Sequence, residues 1–196
     1  SETCESHTTC GIINILFIIS ENVLSADNQQ ERLDKILNPW YIVGFVEGEG
    51  TFHIAFYQDP RMKQNIKVIP EFHVNQSYLR IVTLRAIKKY FGCGYIKANH
   101  AKRANDDTCV YVVRERKDLL NKIIPFFRKY KLLSAKGKSF EIFAQVVELI
   151  VLGKHRTKSG VKRIINLAYK MNVNGKYRKI SKVDLLRSLE SSETIR

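Results

Sequence analysis

The chain has 196 residues, of which 44% are hydrophobic, so it can bury the core of one domain without disulfide bonds. Its four cysteines are too few and too scattered for the disulfide framework of a small secreted scaffold. The 33 Lys and Arg against 19 Asp and Glu give a formal charge of +14, which makes a polyanion the expected partner. A role in solubility or at a membrane surface is the alternative explanation for that charge.

The chain divides into an extension, a main domain and a tail. Residues 1–37 are interpreted as an N-terminal extension that is poorly structured. Its apolar run at residues 11–19 is too short to span a bilayer and lacks a basic flank, so we expect no membrane partner. A polar stretch leads to the Asn-Pro pair at residues 38–39, which is typical of a helix start. We predict a main domain over residues 38–175 and a basic C-terminal tail or terminal helix over residues 176–196.

The most informative segment is WYIVGFVEGEGTF at residues 40–52. Its apolar side chains predict a helix that is buried nearly all round, and they are Ile42, Val43, Phe45 and Val46. Gly44 and Gly48 lie four residues apart, so they remove side chains from one face and let another backbone approach closely. This spacing predicts a helix that packs against another helix.

Two carboxylates follow at the end of this predicted helix. Glu47 and Glu49 lie where the helix stops, and Gly50 begins a run with the alternation of a strand. The second carboxylate should therefore project from a helix end beside a sheet. A carboxylate in that position can hold a divalent cation.

The remaining chain alternates between the periods of strands and helices. In chain order, the predicted elements are strands at 51–57 and 66–75, a helix at 78–91, strands at 95–99 and 109–113, and helices near 116–130, 139–152 and 158–172. Both pairs of strands are separated by short polar loops, which favours antiparallel pairing. The order predicts an α+β sandwich, in which helices cover one face of a four-stranded antiparallel sheet and leave the other face open.

The open face of the predicted sheet carries side chains that can bind base edges or phosphates. Strands of about seven residues span roughly 23 Å, which is the length of about seven base pairs. An ordinary solvated sheet face would show the same alternation, so the inference depends on the whole set. The predicted DNA-binding residues are Thr51, His53, Tyr57, Lys67, Glu71, His73, Asn75, Lys97 and Asn99.

Residues 42–50, IVGFVEGEG, resemble the signature helix of the LAGLIDADG homing endonucleases. Later segments resemble the later blocks of that family in their usual order, and they are PEFHVNQ at 70–76, GCGYI at 92–96, IIPFF at 123–127 and KHRTKSG at 154–160. The resemblance covers roughly residues 38–174 and implies the αββαββα fold of the family. Ile42 and Val43 replace the Leu and Ala of the namesake motif, and both acids are Glu rather than Asp.

The resemblance implies a Mg²⁺-dependent endonuclease that makes a double-strand break in a long pseudo-palindromic DNA target and so promotes intron mobility. Ca²⁺ would occupy the site without supporting cleavage. Glu49 and the carbonyl of Gly48 are the implied metal ligands, whereas Glu47 is expected to have a structural or capping role. The implied catalytic partners are Gln76 beside the nucleophilic water, Arg80 near the scissile phosphate and Lys136 beside the water network.

The single signature implies assembly of two copies, because family members with one signature pair their signature helices. The residues expected at the interface of this homodimer are Ile42, Gly44, Phe45 and Gly48. The alternatives are an intron-RNA-binding maturase, a DNA-binding relic that does not cleave, and one half of a longer protein with two signatures. The intact Glu49 favours the nuclease. A mobile-intron origin and a composition rich in Lys and Ile favour the mitochondrion, with the chloroplast as the alternative.

Overall fold

The structure is a computed structural model that describes residues 37–99, 107–172 and 178–191. Its elements are helix α1 (Pro39–Glu49), strands β1 (Gly50–Gln58) and β2 (Ile66–Ser77), helix α2 (Ile81–Phe91), strands β3 (Tyr95–Ala98) and β4 (Thr108–Val113), and helices α3 (Arg116–Asp118), α4 (Ile124–Lys129), α5 (Ala135–Val151), α6 (Lys158–Ala168) and α7 (Lys182–Ser191). The four strands form one antiparallel sheet in the order β1-β2-β4-β3. The predicted α+β fold class is confirmed.

The helices differ from the sequence-based bounds for local reasons. The helical segment predicted near 116–130 contains a π-helical turn at Leu119–Ile123. Pro125 follows this turn and has no N–H to donate, so the backbone widens just before it. Helix α5 begins at Ala135 rather than near 139, because the side chain of Ser134 accepts a hydrogen bond from the backbone N–H of Lys136 at 3.0 Å.

Aromatic side chains pack between the sheet and the helices. The ring of Phe52 on β1 lies 5.2 Å from the rings of Phe72 on β2 and Phe140 on α5, and 5.4 Å from that of Phe127 on α4. All four rings are at most 2% exposed. Burial of each such side chain contributes roughly 1.5–3 kcal/mol to folding. This layer lies on one face of the sheet and leaves the face of His53 and His73 without it.

Helix α1 is placed by caps at both of its ends. The side chain of Asn38 accepts a hydrogen bond from Tyr41 N at 2.9 Å, and Pro39 follows at the first helical position. At the other end the chain turns into β1 at Gly50, where a Cβ would lie 2.5 Å from Cγ1 of Val46. The turn therefore requires glycine, and it fixes where the two predicted carboxylates stand.

The prediction that α1 is buried nearly all round is wrong. Ile42 is 0% exposed and lies in the core of its own domain, so it cannot take part in the predicted interface between two copies. Gly44 and Gly48 are exposed and Phe45 is half-buried. Periodicity identified the apolar positions, but it did not separate the face turned to the sheet from the face left outside.

The structure describes little of the predicted N-terminal extension but most of the predicted C-terminal tail. Of the predicted extension at residues 1–37, only Leu37 is among the described residues. Lys176, at the start of the predicted tail, also lies outside them. Beyond them, residues 182–191 form helix α7, whose Leu185 and Leu189 are buried. Within the described residues, no helix is both long and apolar enough to cross a membrane.

Candidate active site

Glu49 is the last residue of α1, and its side chain is exposed. The next residue, Gly50, begins β1 and pairs with Val74 of β2. Gln76 lies two residues beyond Val74, so Glu49 and Gln76 stand at the same end of the sheet. The carbonyl end of a helix carries partial negative charge, which adds to the carboxylate in attracting a cation.

Lys136 holds the end of α1 from the neighbouring helix α5. Its ammonium group donates to the carbonyl oxygens of Val46 and Glu47 at 2.8 Å each, and to that of Gly50 at 2.6 Å. These three bonds use all three of its protons. Burial lowers the pKa of Lys136, and the charges of Glu47 and Glu49 oppose that effect. The side chain predicted to stand beside a water network is thus engaged with the backbone that carries Glu49.

Glu47 caps the beginning of α5. Its Oε1 accepts hydrogen bonds from the backbone N–H groups of Leu133 at 2.5 Å and Ser134 at 3.0 Å, and its Oε2 accepts from the hydroxyl of Ser134. Burial alone would raise the pKa of Glu47, but these bonds and the charge of Lys136 hold it below its usual value. An anion at the N-terminus of a helix also interacts favourably with the helix dipole. This geometry matches the capping role expected for Glu47.

The other two predicted catalytic residues lie at the end of β2 and just beyond it. Gln76 is half-buried, and its Oε1 accepts a hydrogen bond from Ser77 N at 2.8 Å. That bond leaves the amide N–H₂ group of Gln76 free to donate to a ligand. Arg80 is exposed at the N-cap position of α2. Both side chains lie at the end of β2 toward Glu49, and neither contacts Glu49 directly in the described structure.

Most of the predicted DNA-binding residues do lie on the open face. Tyr57 is 51% exposed, and the three other well-exposed members are Lys67, Lys97 and Asn99. The half-buried members are Thr51, His53, His73 and Asn75. The rings of His53 and His73 lie 6.5 Å apart. Burial, together with the charges of Arg178 and His73, lowers the pKa of His53 and favours a neutral ring.

The expectation for Glu71 needs correction. Its side chain lies on the open face but is only 4% exposed, because His73 and Arg114 enclose it. The carboxylate lies 2.9 Å from Nε2 of His73 and forms an ion pair with Nε of Arg114. Burial alone would raise the pKa of Glu71, but these two partners lower it below its usual value. Glu71 therefore organises the face rather than offering a free acceptor to DNA.

Sequence reasoning missed two arginines that contact this face or its edge. Arg114 directly follows β4 and was not distinguishable from other surface cations in the sequence. Arg178 donates to the carbonyl oxygens of Ile54 at 2.6 Å and Ala168 at 3.0 Å, and its guanidinium lies 4.9 Å from the ring of Tyr169. It thereby covers part of the outer edge of β1. No local sequence pattern predicts a contact between residues so far apart in the chain.

The outer face of α1 carries both exposed glycines. A Cβ added at Gly44 or Gly48 would have nothing within 4 Å, so this face is open to another surface. Half-buried Phe45 stacks on Tyr41 with ring centroids 6.1 Å apart, and Trp40, which is 60% exposed, packs edge-on against Tyr130 with ring centroids 5.5 Å apart. Partly exposed aromatic side chains near small residues are suited to protein association.

Comparisons with known proteins identify related sequences and structures. The sequence profile described as LAGLIDADG endonuclease matches residues 42–147. A probable intron-encoded endonuclease 2 of Neurospora crassa is 34% identical over 138 residues, covering 69% of this chain and 29% of that protein. The crystal structure of the homing endonuclease I-TnaI has a TM-score of 0.67 at 34% identity, covering 79% of this chain and 97% of the other. The archaeal intron-encoded homing endonuclease I-Vdi141I, solved in complex with DNA, has a TM-score of 0.70 at 30% identity, covering 80% and 96%.

This chain covers very different shares of the relatives' own lengths. The chain spans less than a third of the Neurospora protein but nearly the whole of the two solved chains. The profile match includes Glu49, Gln76, Arg80 and Lys136, which are the residues at the end of α1 and around it. It also covers more than half of the 196 residues. The chain therefore belongs to the LAGLIDADG endonuclease family.

Proposed function

We propose that this chain is a site-specific homing endonuclease, which makes a metal-dependent double-strand break in DNA and promotes intron mobility. The observation that carries the proposal is the exposed Glu49 at the end of α1, standing at the same end of the sheet as Gln76. The open sheet face beside it and the charge of +14 favour a DNA duplex as the substrate. The Neurospora relative is named as an intron-encoded endonuclease, and I-Vdi141I was solved with DNA.

The donor set at this helix end fits Mg²⁺. Glu49 offers an exposed carboxylate, and Lys136 takes the carbonyls of Val46, Glu47 and Gly50 but not that of Gly48. We propose that Glu49 and the Gly48 carbonyl hold Mg²⁺, and that Ca²⁺ binds there without supporting cleavage. A bound Mg²⁺ would supply Lewis-acid stabilisation of the phosphodiester and of its leaving oxygen.

A second copy of the chain is the proposed partner at this site. Among the described residues, no three His, Cys, Asp or Glu side chains come together as a metal site, and Glu47 is already bound by Leu133 and Ser134. Mg²⁺ is usually bound through one or two carboxylates together with substrate phosphates. Contact of two α1 helices through Gly44 and Gly48 would bring a second Glu49 to the same place, and two-fold symmetry would give a pseudo-palindromic target. The same contact could be made by a second signature in a longer protein.

The positions of Gln76, Arg80 and Lys136 around Glu49 indicate a role for each of them. We propose that Gln76 orients a water through its free amide N–H₂ group, and that Arg80 binds a phosphate near the break. Lys136 acts through the backbone, because its protons are used by three carbonyls and its charge offsets those of Glu47 and Glu49. Without that cation, two carboxylates at a carbonyl end would repel each other.

The proposed setting is an organelle. Resemblance to mobile-intron endonucleases and a sequence rich in Lys and Ile favour the mitochondrion over the chloroplast. The Neurospora relative is named as intron-encoded, which agrees with a mobile-intron origin for this chain.

The test is cleavage of duplex DNA that carries the uninterrupted host-gene sequence, with Mg²⁺ present. Wild type should make a double-strand break at one place, whereas Glu49→Gln should bind the same DNA without cutting it. Glu141→Gln, an exposed position on α5, removes an equal charge elsewhere and should cut like wild type. Binding without cleavage by all three proteins would reject the endonuclease and leave a DNA-binding relic. Equal cleavage by Glu49→Gln would reject Glu49 as the metal ligand.

A further inference from the structure

A basic cavity lies at the end of the domain that is remote from Glu49. It consists of two hollows of about 580 Å³ and about 370 Å³, which share Arg116, His155 and Arg156 as lining residues. Lys67 borders the smaller hollow, and it lies seven residues along β2 from Val74, the partner of Gly50. At about 3.3 Å per residue, this places the cavity roughly 23 Å from the end of α1.

The lining of this basic cavity combines apolar side chains, such as Ile66, Val68 and Leu120, with an excess of cations over carboxylates. Its charged members are Lys63, Lys67, Arg116, Lys117 and Arg156, with Glu115 as the carboxylate. Nη1 of Arg116 lies 3.5 Å from Nε2 of His155, and within the described part of the chain neither Arg116 nor Arg156 has a carboxylate within ion-pair distance. Cations gathered in excess of carboxylates repel one another, and an anion bound among them relieves that repulsion.

Side-chain hydrogen bonds and a tight glycine turn hold the backbone around the cavity. The amide of Gln64, which is only 9% exposed, donates to the carbonyl oxygen of Arg156 at 3.2 Å and ties the loop between β1 and β2 to the turn at Lys154–Arg156. Thr157 caps α6 by accepting a hydrogen bond from Gly160 N at 3.2 Å. A Cβ at Gly160 would clash with the carbonyl oxygen of Lys154, so only glycine allows this close turn. The cations are thus presented by a fixed scaffold.

The cavity lies past the end of the sheet, where Lys67 of the open face and Ile66 and Val68 of the helix-covered face both border it. A shallow hollow at the end of β1 and β2 is lined by Tyr57, Lys67 and Ile69 of the open face, and Lys67 borders the basic cavity as well. The carboxylate of Asp59 at this end is already bound by Arg61 at 2.9 Å and 3.0 Å, so it does not repel an approaching phosphate. A nucleic acid strand that leaves the open face past this end would meet Arg116 and Arg156 next.

We propose that the basic cavity binds the phosphodiester backbone of duplex DNA, through Arg116 and Arg156, beyond the base pairs that the sheet faces. The inference rests on the proposed function only in taking DNA as the ligand. Guanidinium groups match phosphate oxygens with two parallel hydrogen bonds. Contacts of this kind fix the position of the duplex and carry no sequence information. The cavity would therefore add affinity at a distance from the site of cleavage.

The experiment measures binding of a duplex of unrelated sequence as a function of salt, with EDTA present so that cleavage plays no part. Each phosphate contact contributes about 0.9 to the slope of log K against log salt. The variant Arg116→Gln/Arg156→Gln should therefore lower the magnitude of the slope by about 2, and Arg116→Gln alone by about half of that. The control Lys162→Gln/Arg163→Gln removes the same charge from exposed positions on α6 and should keep the wild-type slope.

Equal slopes for the two double variants would overturn the proposal, because the effect would then be one of net charge. A loss seen with structured RNA but not with duplex DNA would also overturn it. Unfolding curves of all variants identify any loss of fold, and Arg116→Gln alone provides the test if the double variant is unstable. Binding of wild type without cleavage would count against the endonuclease and not against this cavity, so the two failures are distinguishable.

Discussion

Glu47 and Lys136 cap each other's helices. The ammonium group of Lys136 donates to the backbone carbonyl of Glu47 at 2.8 Å, while the carboxylate of Glu47 accepts hydrogen bonds from Leu133 and Ser134 at the start of the helix that carries Lys136. An anion thus lies at the N-terminus of α5 and a cation at the C-terminus of α1, as the two helix dipoles favour. The position of Glu49 consequently depends on α5 as much as on its own helix.

The first prediction concerns the cap of α5. Glu47→Gln keeps the shape of the side chain but removes the charge that Leu133 and Ser134 bind, so we expect the free energy of unfolding to fall by about 1–2 kcal/mol. Urea unfolding at pH 7 measures the change. Glu141→Gln, on the exposed side of the same helix, should leave the stability of the protein unaltered. A similar loss in both variants would show that the cap contributes nothing.

The second prediction gives the pH dependence of that cap. Burial opposes ionisation of Glu47, yet the hydrogen bonds of Ser134 and Leu133 prevail and its pKa lies below the ordinary value of 4.5. A carboxylate with a lowered pKa stabilises the fold above its unfolded pKa, and this stabilisation is lost as the pH falls through the folded pKa. The stability difference between wild type and Glu47→Gln should therefore be full at pH 7 and shrink below 4.5. A difference that stays constant down to acid pH would contradict the assignment.

The third prediction tests whether the two caps act as a unit. Lys136→Met leaves the carbonyls of Val46, Glu47 and Gly50 without their donor, so we expect a loss of about 2–3 kcal/mol in the free energy of unfolding. The loss in the double variant Lys136→Met/Glu47→Gln should differ from the sum of the losses in the two single variants by about 0.5 kcal/mol or more. A double-mutant cycle of urea unfolding measures this coupling. Strict additivity would mean that the two ends are independent.

The fold class and the position of Glu49 at the end of α1 could be predicted from the sequence, because both depend on patterns among neighbouring residues. Alternation placed β1 and β2, and two acids before a glycine placed Glu49 at a helix end. The partners of these residues could not be predicted. Arg178 reaches the carbonyl of Ile54 across 124 residues, and nothing in its neighbours indicates that contact. The alternation also placed Glu71 on the open face, but it could not show that His73 and Arg114 would enclose it.

The fourth prediction separates a structural role of Glu71 from contact with DNA. Glu71→Gln leaves His73 and Arg114 without their common anion, and loss of one partner from a buried ion pair costs about 3–5 kcal/mol. Because the side chains of His73 and Arg114 are partly exposed, we expect a loss at the lower end of that range or slightly less. Unfolding in guanidinium chloride measures the difference between this variant and the control Glu115→Gln, which changes an exposed residue. Wild-type stability of Glu71→Gln together with altered base preference would instead support direct contact with DNA.

The fifth prediction concerns the outer face of α1. Because a Cβ at Gly44 would meet nothing within 4 Å in a single chain, Gly44→Leu should leave the fold of that chain intact. Replacing a helical glycine should even raise the stability of the single chain, by about 0.5–1 kcal/mol. The larger side chain would, however, block close approach of a second α1, so sedimentation equilibrium should show a shift from dimer to monomer. Glu141→Leu, an exposed change on α5, should leave association unaltered, and a dimer that survives Gly44→Leu would place the interface elsewhere.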